Sequence, residues 1–306
     1  MNICVIMPVH NSRDTLATAI GSVLAEAAVS TVIVIDDGST DGSAEVARSL
    51  GDVRIVAESQ PNAGPGAARN RGIEIALAQP EMTCVLFLDA DDEWLAGSLD
   101  AVEAILRDRP QTGLLVGGRI ELDRGDERTV VPPPDWASRV LAERGGIFRP
   151  QAFFGTSGMI VARRILEQGV RFDPRLRISE DRDFAYRAAA LAPVFITSHI
   201  LLKVALHREG ANLTGPAHLR RWLEDHLRLI EWHGQDAGAA EALHEQADWL
   251  LAHAGRTLAR RGERLDADLW RAYMDRYRAM GWSKPWRAIR WRWLLGPLAR
   301  LLPRGK

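Results

Sequence analysis

The 306 residues carry 39 Lys or Arg against 40 Asp or Glu, so a formal net charge of −1 offers no global attraction to nucleic acid. An apolar share of 46% and a charged share of 26% suit a globular chain with one large domain and an appendage. No run reaches the roughly 20 apolar residues that a membrane-spanning helix requires, and Cys4 and Cys84 lie in apolar runs as small reduced core residues, which fits a cytosolic compartment.

The first residues lack a basic leader and a long apolar core, so 3–7 read as a first strand, ended by Pro8. Asn11 or Ser12 caps a helix whose Leu16, Ile20, Val23 and Leu24 follow a 3.6-residue period. A second strand, Thr31–Ile35, runs into Asp36-Asp37-Gly38-Ser39-Thr40-Asp41-Gly42, and a helix follows through Val46 and Leu50. Val53–Ala57 reads as a third strand, and a helix starts within Gly64–Ala68 and runs to about Ala78. Then Val85–Leu88, four apolar residues in a row, meets Asp89-Ala90-Asp91-Asp92 before a helix carrying Leu99, Val102, Ile105 and Leu106.

Alternation of strand and helix predicts a mainly parallel sheet covered on both faces, with ligands at the carboxyl ends of the strands. Pro8-Val9-His10-Asn11, Asp36-Asp37-Gly38 and Asp89-Ala90-Asp91-Asp92 all fall on that edge. The acidic run by itself supports two readings. It is either a polar turn that caps the next helix, or a cluster of mutually repelling carboxylates that calls for a hard divalent cation.

Beyond Gly113 the alternation weakens. Residues 113–122 read as a strand, and Pro132-Pro133-Pro134 as a loop. Gly155-Thr156-Ser157-Gly158 is a small-residue turn before the apolar Met159-Ile160-Val161. Ser179-Glu180-Asp181-Arg182-Asp183 opens a helix with Phe184, Ala188 and Leu191 on one side, where plain dipole capping is the alternative to a chemical role for Glu180 and Asp181. Residues 216–280 are helical, with Leu219, Leu223, His226, Leu227 and Ile230 on one face. The last 26 residues, 281–306, hold seven of the basic residues, none of the acidic ones and four of the ten tryptophans. That is the composition of a segment at a membrane interface, or of a basic tail docked on an acidic body.

Together these pieces resemble family 2 glycosyltransferases of the GT-A fold over about residues 2–214. The resemblance rests on Met7-Pro8-Val9-His10-Asn11, on Val34-Ile35-Asp36-Asp37-Gly38-Ser39-Thr40-Asp41-Gly42-Ser43, and on Asn62-Ala63-Gly64-Pro65-Gly66-Ala67-Ala68-Arg69-Asn70-Arg71-Gly72-Ile73. Leu88-Asp89-Ala90-Asp91-Asp92 and Ser179-Glu180-Asp181 complete it. Number, order and spacing make the match specific where each motif alone is weak. It implies a GT-A domain over 1–214, with a Rossmann-like, mainly parallel central sheet flanked by helices. A nucleotide-sugar half spans about 1–112 and an acceptor half about 113–214, followed by a helical extension over 215–306.

The resemblance further implies inverting transfer of a sugar from a nucleotide diphosphate to an acceptor hydroxyl, in surface polysaccharide or glycoconjugate synthesis. Pro8 and His10 then line the nucleotide pocket and Asp37 bonds the base, uridine being favoured because a carboxylate accepts from its imide N–H. The Gly64–Arg69 segment corresponds to a phosphate loop, with Arg69 near the donor. Asp91 is the expected ligand of Mn²⁺ or Mg²⁺, Asp89 reaches the metal or the ribose, and Asp92 is a rival ligand. Asp181, preceded by Glu180, corresponds to the general base.

One departure stands out: Leu206-His207-Arg208-Glu209-Gly210-Ala211-Asn212-Leu213-Thr214 places Glu209 where the family often has histidine. A sugar nucleotidyltransferase, or a non-catalytic nucleotide-sugar-binding or membrane-surface protein, are the rival readings. The expected setting is the cytoplasm, at the inner face of the cell membrane if the tail binds lipid, with a carbohydrate or lipid-linked acceptor.

Overall fold

The computed structural model describes residues 1–123, 125–132, 139–141, 144–149, 155–206, 218–260, 262–263 and 266–282. The chain divides into two compact units. One comprises Met1–Ala142 and Phe153–Asn212; the other comprises Glu143–Ala152 and Leu213–Lys306.

The first unit is built on a sheet. Strands β1 (Ile3–Val9), β2 (Val29–Asp37), β3 (Ile55–Gln60) and β4 (Cys84–Phe87) run parallel in the order β3-β2-β1-β4. Their connections are helices α1 (Arg13–Leu24), α2 (Ser43–Ser49) and α3 (Pro65–Leu77). Ile3, Val5 and Met7 of β1 face α1 through Leu16, Ile20 and Val23, all fully buried. Gly72 of α3 lies against Ile6: a Cβ there would sit 2.4 Å from the Ile6 methyl, so only glycine lets the helix approach this closely.

Pro8 lies inside β1 and does not end it. Pairing with β4 covers only Ile3–Ile6, so proline sits where β1 borders β2 alone. Val53, expected in a strand, is 99% exposed, and β3 starts two residues later. Asp52 accounts for the delay, because its carboxylate accepts from the Arg54 backbone and guanidinium and makes a turn of that stretch.

Beyond β4 the sheet becomes mixed. After β5 (Glu93–Trp94) and α4 (Ser98–Asp108) come β6 (Leu114–Asp123), β7 (Asp126–Val130), β8 (Arg139–Val140) and β9 (Ile160–Ala162). Then follow α5 (Arg163–Glu167), α6 (Glu180–Ala189) and β10 (Val194–Ala205). Strand β9 runs antiparallel between β4 and β6, while β10 pairs parallel to β6. Three phenylalanines fasten α6 to β4. Phe184 of α6 stacks on Phe172 with centroids 4.3 Å apart, and Phe87 of β4 meets both edge-on at 5.2 and 5.9 Å. Such pairs add about 0.5–1.5 kcal/mol each beyond burial, which is enough to fix where the head of α6 stands.

The second unit is helical: α7 (Leu219–His233), α8 (Ala237–Arg260), α9 (Ala267–Ala279) and a 3₁₀ turn, Arg144–Phe148, against α8. Buried Tyr273 donates to the Leu223 carbonyl at 2.9 Å, and Tyr277 to Asp248 at 2.6 Å. Asp266 caps α9 by accepting from the amides of Asp268 and Leu269. No described helix is long and apolar enough to cross a membrane. Of the basic 281–306 segment, 283–306 lie outside the described residues.

Two glycines test this packing with opposite signs. Gly72→Ala is expected to destabilise the chain by about 1–3 kcal/mol through the clash with buried Ile6. Gly21→Ala, in α1 with nothing within 4 Å, is expected to stabilise it by about 0.5–1 kcal/mol. Urea unfolding of both variants measures the contrast, and equal effects would remove the close-approach account of Gly72.

Candidate active site

Parallel pairing sets the exits of β2, β1 and β4 side by side, and the loops leaving them are laced together. His10 Nδ1 lies 3.0 Å from the Asp37 carbonyl and 3.2 Å from Asn62 Nδ2, and its Nε2 lies 3.3 Å from Asn11 Nδ2. Asn11 itself has φ of 54°, a left-handed conformation that asparagine tolerates. It is held there because its amide donates to Ser39 Oγ and its side-chain oxygen accepts from the Thr40 amide. Pro8 is half-buried and His10 exposed on this edge.

Asp37 is 3% exposed and ties two exits together. Its Oδ1 accepts from Gln60 Nε2 and the Ala63 amide, both at 2.8 Å, and Oδ2 accepts from the Gly64 amide at 2.8 Å. The first amides of the segment expected to cradle phosphate therefore point at Asp37. One lone pair of Oδ2 is unused by these bonds.

Helix α3 starts at Gly64 (φ +92°) with Pro65 in its first position. One turn in, Arg69 is only 4% exposed. Its Nη1 donates to Glu180 Oε1 at 2.9 Å and its Nη2 to Asp89 Oδ1 at 2.7 Å, while the Phe172 ring lies 5.4 Å from the guanidinium. Burial opposes the charge, yet the two carboxylates outweigh it and hold the guanidinium above its ordinary range. Arg69 Nε and Glu180 Oε2 are buried without a hydrogen-bond partner.

The three acids after β4 point different ways. Asp89 is partly exposed, its carboxylate on Arg69 and its amide donating to Ser157 Oγ at 3.2 Å. Asp91 is exposed. Asp92 is 3% exposed and turned inward, accepting from the Ala205 amide at 3.1 Å. Burial, and then the charge of Asp89, push Asp92 well above the usual carboxylate range. None of the three caps α4. Glu26 does that, accepting from the Gly97 amide at 2.6 Å and the Leu99 amide at 3.3 Å.

Among the described residues no cluster of three or more His, Cys, Asp or Glu side chains forms a metal cage. A donor set of one or two carboxylates is nonetheless what Mg²⁺ or Mn²⁺ uses when phosphate oxygens complete the shell. Exposed Asp91 and the second oxygen of Asp89 fit that role, and inward-facing Asp92 does not.

Glu180 and Asp181 open α6 after Ser179. Glu180 is 6% exposed and faces Arg69. Asp181 is partly exposed, and its Oδ1 accepts from the Arg182 amide at 2.7 Å. Burial first, then the charge of Glu180, push Asp181 up to about 7, with Arg182 and Arg69 opposing the rise. A carboxyl poised near neutrality suits proton acceptance. The motif residues Asp37, Arg69, Asp89, Asp91, Glu180 and Asp181 thus gather at one sheet edge. Gln60, Glu26, Ser157 and Phe172 are additions that pattern reading lacks; only the small-residue turn at Gly155–Gly158 hinted at one of them. His207 and Glu209 lie outside the described residues.

The family model described as Glycosyl transferase family 2 matches residues 4–168. The chain is 31% identical over 262 residues to the "Succinoglycan biosynthesis protein ExoU" of Rhizobium meliloti (strain 1021), covering 80% of this chain and 75% of that protein. S. aureus TarS 1-349 in complex with UDP-GlcNAc superposes with a TM-score of 0.61 at 18% identity, over 92% of this chain and 84% of TarS. The mannosyltransferase PcManGT from Pyrobaculum calidifontis, in complex with GDP-Man and Mn²⁺, gives 0.59 at 18% identity, over 93% and 81%.

Removing the Asp37 carboxylate has a local readout. Asp37→Ala leaves the Ala63 and Gly64 amides without their acceptor, at a cost of about 1–3 kcal/mol. Amide hydrogen exchange at these two positions is expected to quicken at least about tenfold. Unchanged protection there would show that the loop holds itself.

Proposed function

The chain belongs to family 2 of the glycosyltransferases and has their GT-A fold, and on that premise we propose that it moves a sugar from a UDP-sugar to an acceptor hydroxyl with inversion. The observation that carries this reading is the meeting of Asp89 and Asp91 with Glu180 and Asp181 around Arg69, beside Asp37. Asp37 Oδ2 offers one acceptor at the base position, which suits the imide N–H of uracil. Pro8 and His10 flank that position on the neighbouring exit. UDP-GlcNAc in TarS and GDP-Man with Mn²⁺ in PcManGT support a nucleotide-sugar donor and a divalent ion in this fold.

Asp181 takes the proton as the acceptor oxygen bonds to the anomeric carbon and the bond from that carbon to the diphosphate breaks. Asp91, with Asp89, would hold Mn²⁺ or Mg²⁺, which when bound would supply positive charge to the departing diphosphate. A single displacement from the face opposite the diphosphate inverts the anomeric centre. ExoU, named for succinoglycan biosynthesis, supports a carbohydrate or lipid-linked acceptor in polysaccharide synthesis. The basic, tryptophan-rich 281–306 segment supports a station at the cytoplasmic face of a membrane.

Thermal shifts with a panel of nucleotide sugars, with and without Mn²⁺, identify the donor and the metal together. Asp91→Asn is expected to abolish the Mn²⁺ enhancement and Asp92→Asn to retain it; the reverse pattern would exchange their roles. Asp181→Asn is expected to lose roughly 10²–10⁴-fold in transfer while still binding donor. Because the ionised form is the base, wild-type transfer falls as pH drops through about 7. A raised pKa also means that the folded state disfavours ionised Asp181. Its stability contribution is thus full at low pH and lost as pH rises through about 7, so Asp181→Asn melts no lower than wild type at pH 8. Full turnover by that variant would remove Asp181 as the base.

Flotation on vesicles with and without anionic lipid tests the tail separately. The full chain is expected to float with anionic vesicles, and a chain ending at Met280 to remain below. Equal flotation of the two would sink the membrane role of 281–306.

A further inference from the structure

Two adjacent carboxylates head α6, and the structure treats them differently. Glu180 turns back into the body at 6% exposure, with Oε1 on Arg69 and Oε2 unpartnered. Asp181 stays partly open and takes its bond from the Arg182 amide. The guanidinium between Glu180 and Asp89 belongs to a third element, α3, so one buried fork joins the head of α6 to the exit of β4. Phe172 lies beneath it, and Phe172 is also the ring on which α6 rests through Phe184. Arg69, expected among the donor-binding residues, spends both Nη groups inside the protein.

We propose that Arg69 is a positioning residue: by pairing with Glu180 it fixes which of the two carboxylates faces inward, keeps a negative charge beside Asp181, and leaves Asp181 alone directed to the acceptor. The inference rests on the base role proposed for Asp181 and adds the device that selects it. The charged groups acting on Asp181 are Glu180 and Arg182 from α6 and Arg69 from α3. Repulsion by Glu180 acts more strongly on Asp181 than attraction by Arg69 does. Removing the guanidinium leaves Glu180 buried without a cation, a state that a carboxylate leaves by binding a proton. Repulsion on Asp181 then disappears, and Asp181 becomes a weaker base. Arg69 thereby acts on the reaction through Glu180, without touching substrate.

The test is a ¹³C-carboxyl NMR titration of the full chain labelled at aspartate, without metal or donor, with Asp181→Asn identifying the resonance. In wild type Asp181 is expected to titrate near 7. Arg69→Met and Glu180→Gln are each expected to lower that midpoint by about one pH unit, while Arg69→Lys, which keeps the charge, retains most of the wild-type value. An unmoved midpoint in Glu180→Gln, or a raised one in Arg69→Met, overturns the proposal. Should Arg69→Met fail to fold, Glu180→Gln and the double variant Arg69→Met/Glu180→Gln decide the matter. Transfer by Asp181→Asn reports on the base role independently, so failure of the enzymatic reading and failure of this inference are separate results.

Discussion

A guanidinium at 4% exposure between two carboxylates is the interaction on which the active edge depends. Taking an arginine and a glutamate out of water costs several kcal/mol per ion, and only close, well-oriented pairing offsets it. Arg69 achieves this with one Nη for each partner, at 2.9 and 2.7 Å. A lysine presents a point charge and has no planar fork with which to span two carboxylates. Because the partners lie on the exit of β4 and at the head of α6, the ion pairs hold in place elements that the chain order keeps far apart.

Apolar packing supplies the platform for that fork. Phe87, Phe172 and Phe184 bring α6 against β4 before any charge is considered, and Phe172 floors the guanidinium as well. On the other side of the edge Asp37 plays the converse part, a buried carboxylate satisfied by two amides and a side-chain amide in place of a cation. Together the two clamps fix the head of α3 from both sides: Asp37 holds Ala63 and Gly64, and Glu180 and Asp89 hold Arg69. The glycine at position 64, with φ of +92°, lets the chain turn sharply enough for both to apply.

The parallel half of the fold was legible because its strands are continuous apolar runs and its helices keep a 3.6-residue period. Local pattern ends where the sheet turns mixed. Strand β10, with its register shifts against β6, and the two-residue β5 carry no alternation that a window of sequence resolves. The acid run Asp89–Asp92 exposes the same limit at the site. Its chemistry was readable, yet the direction of these carboxylates depends on partners far along the chain: Ser157, 68 residues from Asp89, and Ala205, 113 residues from Asp92. The helix cap once competing for those acids came from Glu26, a residue at the end of a different helix, which no local signature announces.

The buried clamp bears on the proposed metal on grounds separate from motif. Arg69 spends both Nη groups on Asp89 and Glu180, while Asp91 on the same exit is exposed. The backbone amides of Ala63 and Gly64, just before α3, are engaged by Asp37 and are not offered to a diphosphate. Arg69 cannot turn outward to help without abandoning two buried carboxylates. A divalent ion held at Asp91, as proposed, would supply positive charge to the donor's phosphates and leave the internal clamp intact. Burial, and after it the charge of Glu180, makes Asp181 basic enough to take a proton near neutral pH.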